Sequence, residues 1–235
     1  MKKQREGNKK PEKKGEEEKK KSLFRVWIIE TFIPAAAVAL FVITFIAQIY
    51  KIPSGSMIPT LKVGDRILVV KFTYGIRVPF TGKWLFQHRR PKRGDVMVFL
   101  FDKDPWEKKT FINRVTGFLF RKEPWSNRMN FIKRVIGTPG DRVEIKDGNV
   151  YINGQLIDEP PAIPKDRFYY NVKEGSREVF YTKGEIVIPK NNYFVLGDNS
   201  ANSRDSRYWG LVPIEKVKGK AVFIIWPPRR IGVIH

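Results

Sequence analysis

Cysteine is absent from this chain, and histidine occurs only at His88 and His235. The first absence excludes thiol nucleophiles, disulfides and thiolate metal sites together. The second leaves His88 as the base for any Ser–His–Asp triad. It stands in Gln87-His-Arg-Arg-Pro91, where neighbouring positive charge disfavours the imidazolium that general-base work creates, so it reads as a surface histidine. No His/carboxylate cluster has metal-ligand spacing and no Gly-rich phosphate loop is present, so neither a metal nor a cofactor is expected. Acidic residues are also scarce: 24 Asp and Glu against 45 Lys and Arg leave a net charge of +21. That balance calls for an anionic partner. Helix-turn-helix, zinc-finger and RNP-type patterns are all missing, so the expected partner is an anionic lipid surface, with no nucleic acid.

Residues 1–24 are Lys, Glu, Gly, Pro and Gln with few apolar groups, too little to offset chain entropy, and are expected to be a disordered basic tail. Up to Arg25 there are eleven Lys and Arg against five Glu. From Phe32 to Tyr50 run nineteen residues without a charge. As a helix they would span about 29 Å, close to the hydrocarbon thickness of a bilayer. A buried core helix is disfavoured by the length of the run. A cleaved signal peptide is disfavoured by Ala47-Gln-Ile, a poor small-x-small site. The expectation is a single transmembrane helix over 25–50, with the cationic N-terminus cytoplasmic and residues 51–235 outside.

Beyond residue 51 short β-type runs alternate with Gly, Pro and Asp. They include Arg66–Lys71, Asp95–Phe101, Arg142–Lys146, Val150–Gly154, Glu185–Ile188, Tyr193–Leu196 and Ala221–Trp226. Lys146-Asp147-Gly148-Asn149 between two of them predicts a hairpin turn. The fold class is therefore mainly β. One stretch departs from it: Phe111, Ile112, Val115, Phe118 and Leu119 share a helical face among Lys and Arg, which suits either a lipid headgroup layer or packing on the core.

Three segments can carry chemistry. Pro53-Ser-Gly-Ser-Met-Ile-Pro-Thr-Leu61 follows the apolar run and places Ser56 at the membrane edge. In Phe131-Ile-Lys-Arg-Val-Ile136 a period of two sets Lys133 between Phe131 and Val135 on one strand face. From pattern alone Lys133 has two readings: a desolvated amine fit to act as a base, or a strand lysine whose ammonium reaches water. The third segment, Gly197–Gly210, is a polar loop in which Asp198 and Asp205 stand among Arg204 and Arg207, an arrangement for ion pairing.

Pro53–Leu61, Arg93–Phe99, Phe131–Asp141 and Gly197–Gly210 occur in the order found in bacterial type I signal peptidases, and the chain resembles that family from about residue 27 onward. The resemblance implies a β-domain of antiparallel sheets behind a membrane anchor, with 141–190 as a variable second β-region. It implies a Ser–Lys dyad acting through an acyl-enzyme, Ser56 being nucleophile and Lys133 general base. Ser54 would join the Ser56 N–H at the oxyanion, and Ser203 would orient the lysine. Asp205 with Arg207 would support it, and Asp198 would be a structural position. Ile52, Met57, Leu61 and Ile132 would line shallow pockets for small-x-small signals of exported preproteins, cut at the bacterial inner membrane. One anchor is expected where some members of the family have two, and the Leu100–Asn130 stretch is longer than usual between its flanking motifs. Two rival readings are a soluble repressor-type Ser–Lys autoprotease, which lacks support without a DNA-binding head, and a non-enzymatic basic membrane protein.

Overall fold

Runs of Val, Ile, Phe and Tyr pack well on a pleated, half-buried surface, and they form strands through most of the computed structural model, which describes residues 26–77, 84–102, 128–158, 168–170, 180–181 and 184–235. These are β1 (Ala47–Lys51), β2 (Arg66–Val70), β3 (Gly75–Arg77), β4 (Trp84–Gln87), β5 (Val96–Asp102), β6 (Arg128–Gly137) and β7 (Arg142–Lys146). The rest are β8 (Asn149–Ile152), β9 (Gln155–Ile157), β10 (Glu185–Val187), β11 (Asn192–Leu196), β12 (Val212–Pro213), β13 (Val217–Trp226) and β14 (Gly232–Val233). The largest sheet runs β1-β2-β13-β5-β6-β11-β12, with β14 on β13. A second runs β10-β7-β8-β9, and β3 pairs with β4. The pairings are antiparallel throughout, in keeping with the mainly β class expected.

Strand β6 joins the two larger sheets because its end feeds the tight turn into β7. The β7–β8 turn forms at Asp147 and Gly148 with φ of 48° and 78°, the left-handed pair that a two-residue hairpin needs. Gly148 is doubly constrained, since a Cβ there would lie 2.0 Å from the Phe168 ring. Three apolar clusters hold the β-unit. Ile136, Val143, Ile145 and Phe194 centre one, Ile52, Met57, Leu61 and Val69 the next, and Met97, Phe99, Val135 and Val217 the third. Each fully buried side chain of this size contributes about 1.5–3 kcal/mol. In the third cluster Phe131 meets Trp209 edge to face with ring centroids 4.8 Å apart.

The chain divides into two compact units, Met1–Thr44 and Phe45–His235. The helical run before the sheet is split into a π-helical turn (Ile28–Phe32), α1 (Ile33–Phe41) and a second π-helical turn (Val42–Ile46). Among the described residues no helix is long and apolar enough to cross a membrane, which corrects the expected helix over 25–50. The physical reason lies in residue type. Ala35, Ala36 and Ala37 favour α-helix, whereas the run from Val42 to Ile46 is β-branched and aromatic. From Ala47 it becomes β1, and the half-buried Tyr50 packs against the Ile52 cluster. None of the residues of α1 is buried. The amphipathic stretch Phe111–Leu119 lies outside the described residues.

Candidate active site

The Pro53–Leu61 segment forms a turn rather than a strand. Leu61 N–H donates to Met57 C=O at 2.8 Å, and the buried side chains of Met57 and Leu61 anchor it in the core. Ser56 therefore sits on a fixed loop, 8% exposed. Its carbonyl accepts the Asn199 N–H at 3.0 Å, and the Asn199 amide donates to Gly55 C=O at 3.0 Å. The Ser56 N–H has no hydrogen-bond partner among the described residues.

Lys133 lies on β6 directly opposite Met97 of β5, with Phe131 and Val135 in the third cluster on either side. It is 3% exposed, and its Nζ donates to Ser56 Oγ at 2.6 Å. Burial pushes the amine down to about 8; the carboxylates of Asp205 and Asp198 oppose that, and the Arg207 guanidinium adds to it. At neutral pH about a tenth of such an amine is unprotonated, against fewer than one in a thousand for an ordinary lysine. When it is neutral, the short contact runs the other way, with the serine O–H donating to the nitrogen lone pair.

The loop after β11 supplies the remaining polar groups. Asp205 caps α2 (Ser206–Trp209) through the Arg207 N–H. Its carboxylate also receives Arg207 Nε at 2.8 Å, Arg207 Nη2 at 2.9 Å, Ser203 Oγ at 2.8 Å and Gly197 N–H at 3.1 Å. The Ser203 hydroxyl proton thus goes to Asp205, leaving its oxygen to accept. Gly197 cannot carry a side chain here, because a Cβ would come within 2.2 Å of Ser203 Oγ and 2.5 Å of Ser56 O. That close approach locks the polar loop against the serine loop.

Sequence reasoning missed Arg134 as a partner in this region. It is 2% exposed and bonds Asp198 bidentately, Nε to Oδ1 and Nη2 to Oδ2, both at 2.8 Å. The signal was an arginine alternating with Ile132 and Ile136 on an apolar strand face, which obliges a buried carboxylate somewhere in the fold. Of the other residues singled out, Ile52, Met57, Leu61 and Ile132 come together in one cluster. The first three are buried and Ile132 alone keeps exposed surface. Ser54 is exposed, two positions before Ser56, with no hydrogen bond among the described residues.

A buried amine on a serine hydroxyl, with an unspent backbone N–H beside it, is equipped for acyl transfer. The chain matches the family model described as "Signal peptidase, peptidase S26" over residues 25–226. It is 35% identical over 210 residues to a probable signal peptidase I-2 of Synechocystis sp., covering 87% of this chain and 75% of that protein. It is 35% identical over 243 residues to a signal peptidase I of Pseudomonas aeruginosa, covering 88% and 78%. To a signal peptidase I of Pseudomonas fluorescens it is 36% identical over 231 residues, covering 86% and 74%.

Proposed function

The chain belongs to the signal peptidase family, peptidase S26, as a signal peptidase I, and from that premise we propose that it cuts N-terminal signal peptides from exported preproteins with Ser56 as nucleophile and Lys133 as general base. The observation that carries this reading is the 2.6 Å contact between a buried lysine amine and a serine hydroxyl.

In the neutral form Lys133 Nζ takes the Ser56 proton as Oγ attacks the scissile carbonyl. The developing oxyanion is assigned to the Ser56 N–H, which has no other partner among the described residues, together with the hydroxyl of the exposed Ser54. Nζ–H then protonates the leaving amine, which frees the mature protein and leaves an acyl ester on Ser56. Water, giving its proton to the same amine, hydrolyses the ester and releases the signal peptide. Asp205, held by Arg207 and Ser203, and Asp198, held by Arg134, keep the surroundings of Nζ in one arrangement. Ile132 keeps exposed surface and offers a low apolar wall, packed from behind by the buried Ile52, Met57 and Leu61. Such a wall excludes large side chains, which accounts for a small-x-small preference.

Attachment at the bacterial inner membrane is supported by the exposed apolar side chains of α1 and by the cationic residues before it, which suit an anionic lipid surface. Anionic phospholipid suits the net charge of +21. The test is to incubate the purified full chain, reconstituted in lipid, with a preprotein and to sequence the new N-terminus of the product. Cleavage after a small-x-small site by the wild type and none by Ser56→Ala is the expected result. Equal cleavage by both would overturn the assignment.

A further inference from the structure

A second charged pair stands beside the dyad strand and takes no part in the chemistry of the dyad. The register of β13, β5 and β6 aligns Lys220 with Met97 and Met97 with Lys133. Directly opposed residues on neighbouring strands share a sheet face, so the two lysines flank one fully buried methionine in a row across three strands. Lys220 Nζ lies 2.5 Å from Asp95 Oδ1. The other oxygen of that carboxylate accepts the Tyr74 hydroxyl at 3.1 Å and the Lys92 N–H at 2.9 Å. Tyr74 is fully buried and Asp95 is 8% exposed, so this carboxylate depends on these donors in place of water.

The corner that these groups hold grips the backbone of β6 two residues past Lys133. Gly94 N–H donates to Val135 C=O at 2.8 Å, and Val135 N–H donates to Asp95 C=O at 2.8 Å. The Gly94 carbonyl accepts Arg134 Nη1 at 3.0 Å. Gly94 adopts φ of 85°, a backbone state glycine takes without strain, which lets the corner come this close.

We propose that Lys220 and Tyr74 are positioning residues: through Asp95 they fix the Gly94–Asp95 corner, and through it the placement of β6 that brings Lys133 to Ser56. This rests on the Ser56–Lys133 reading. Removing the ammonium leaves a carboxylate that must recruit water, and the corner opens to admit it. The dyad contact at 2.6 Å then lengthens while the cluster of Ile52, Met57 and Leu61, on which Ile132 packs, stays in place.

The test measures kcat and KM on a preprotein, with a melting curve for each variant. Lys220→Met is expected to lower kcat about tenfold with KM unchanged, since a small misplacement of a reacting group is felt mainly in the chemical step. Asp95→Asn with Lys220→Met is expected to be no slower than Asp95→Asn alone, because the lysine acts through that carboxylate. Full kcat in folded Lys220→Met, or losses that multiply in the double variant, overturns the proposal. Should Lys220→Met not fold, Tyr74→Phe carries the test. A fall of about threefold in its kcat at constant KM supports the role, and an unchanged kcat overturns it. Ser56→Ala and Lys133→Ala are assayed alongside. If those two still cleave, the dyad reading has failed; if they are dead while Lys220→Met and Tyr74→Phe run at full kcat, this inference alone has failed.

Discussion

Arg142 and Glu185 meet at 3.5 Å on the second sheet with 62% and 42% of their side chains exposed, whereas Arg134 and Asp198 meet at 2.8 Å beside the dyad with 2% and 0% exposed. The same pairing of charges thus serves two different ends. Inside, the second sheet buries hydrocarbon such as Val143, Ile145, Val150 and Ile152, and its ions stay in water. The larger sheet buries Lys133 and Arg134, with Asp198, Asp205 and Arg207 packed against them. Desolvating so many ions is unfavourable for folding, and an apolar core of equal volume would be as stable or more so. The arrangement is understandable where an amine must be kept neutral and held still.

The largest effect expected from breaking this contrast is chemical. On the proposed reading, in which nucleophile and base act as one unit, Ser56→Ala and Lys133→Ala are each expected to lower kcat/KM by roughly 10,000-fold or more, with the double variant no worse. Preprotein cleavage rates for the three variants check this. The next effect is on folding. Arg134→Met strands the Asp198 carboxylate without its bidentate partner and lowers the unfolding free energy by about 3–5 kcal/mol in urea titration. Adding Asp198→Leu recovers most of that loss, since the pair is then replaced by hydrocarbon.

How much of this was legible in the sequence depended on whether a residue announces its own environment. The β7–β8 hairpin did so through Asp147-Gly148, and β9 was there to be read behind Asn153-Gly154, whose φ angles of 54° and 79° make the same kind of turn. Strand β1 did not, because an uncharged run satisfies a bilayer helix and a sheet strand alike until pairing with β2 decides between them. Lys133 and Ser56 lie 77 positions apart, so periodicity marked the lysine as a candidate while their contact waited on the fold. Ser203 and Asp205 were both singled out, yet nothing local told that the serine proton goes to that carboxylate.

A finer test of the same contrast uses pH. An unfolded lysine titrates near 10.4, whereas burial holds Lys133 at about 8. Between these values the unfolded chain carries a proton that the folded chain lacks, so the Lys133 contribution to unfolding free energy rises with pH across that window and is constant below it. Lys133→Met, similar in volume and without charge, is expected to stabilise the fold at pH 7 by about 2 kcal/mol and to flatten that rise. Denaturant titrations of both proteins at pH 7 and pH 10 measure it. Activity in the wild type runs the same way, with kcat/KM climbing through pH 8 as the amine loses its proton. Destabilisation by Lys133→Met at pH 7 would mean that the amine is not strained by burial.

The smallest effect belongs to the second sheet. Arg142→Ala removes one partner of an exposed pair at 3.5 Å, and water replaces the lost contact on Glu185. The change in unfolding free energy is expected to stay within about 0.5 kcal/mol and to shrink further in high salt, where exposed charges are screened. Set against the loss from Arg134→Met under the same conditions, it measures how far burial alone separates two arginine–carboxylate pairs in one molecule. Near-equal losses at the two sites would show that water reaches Arg134 and Asp198, and desolvation could then no longer account for a depressed amine at Lys133 beside them.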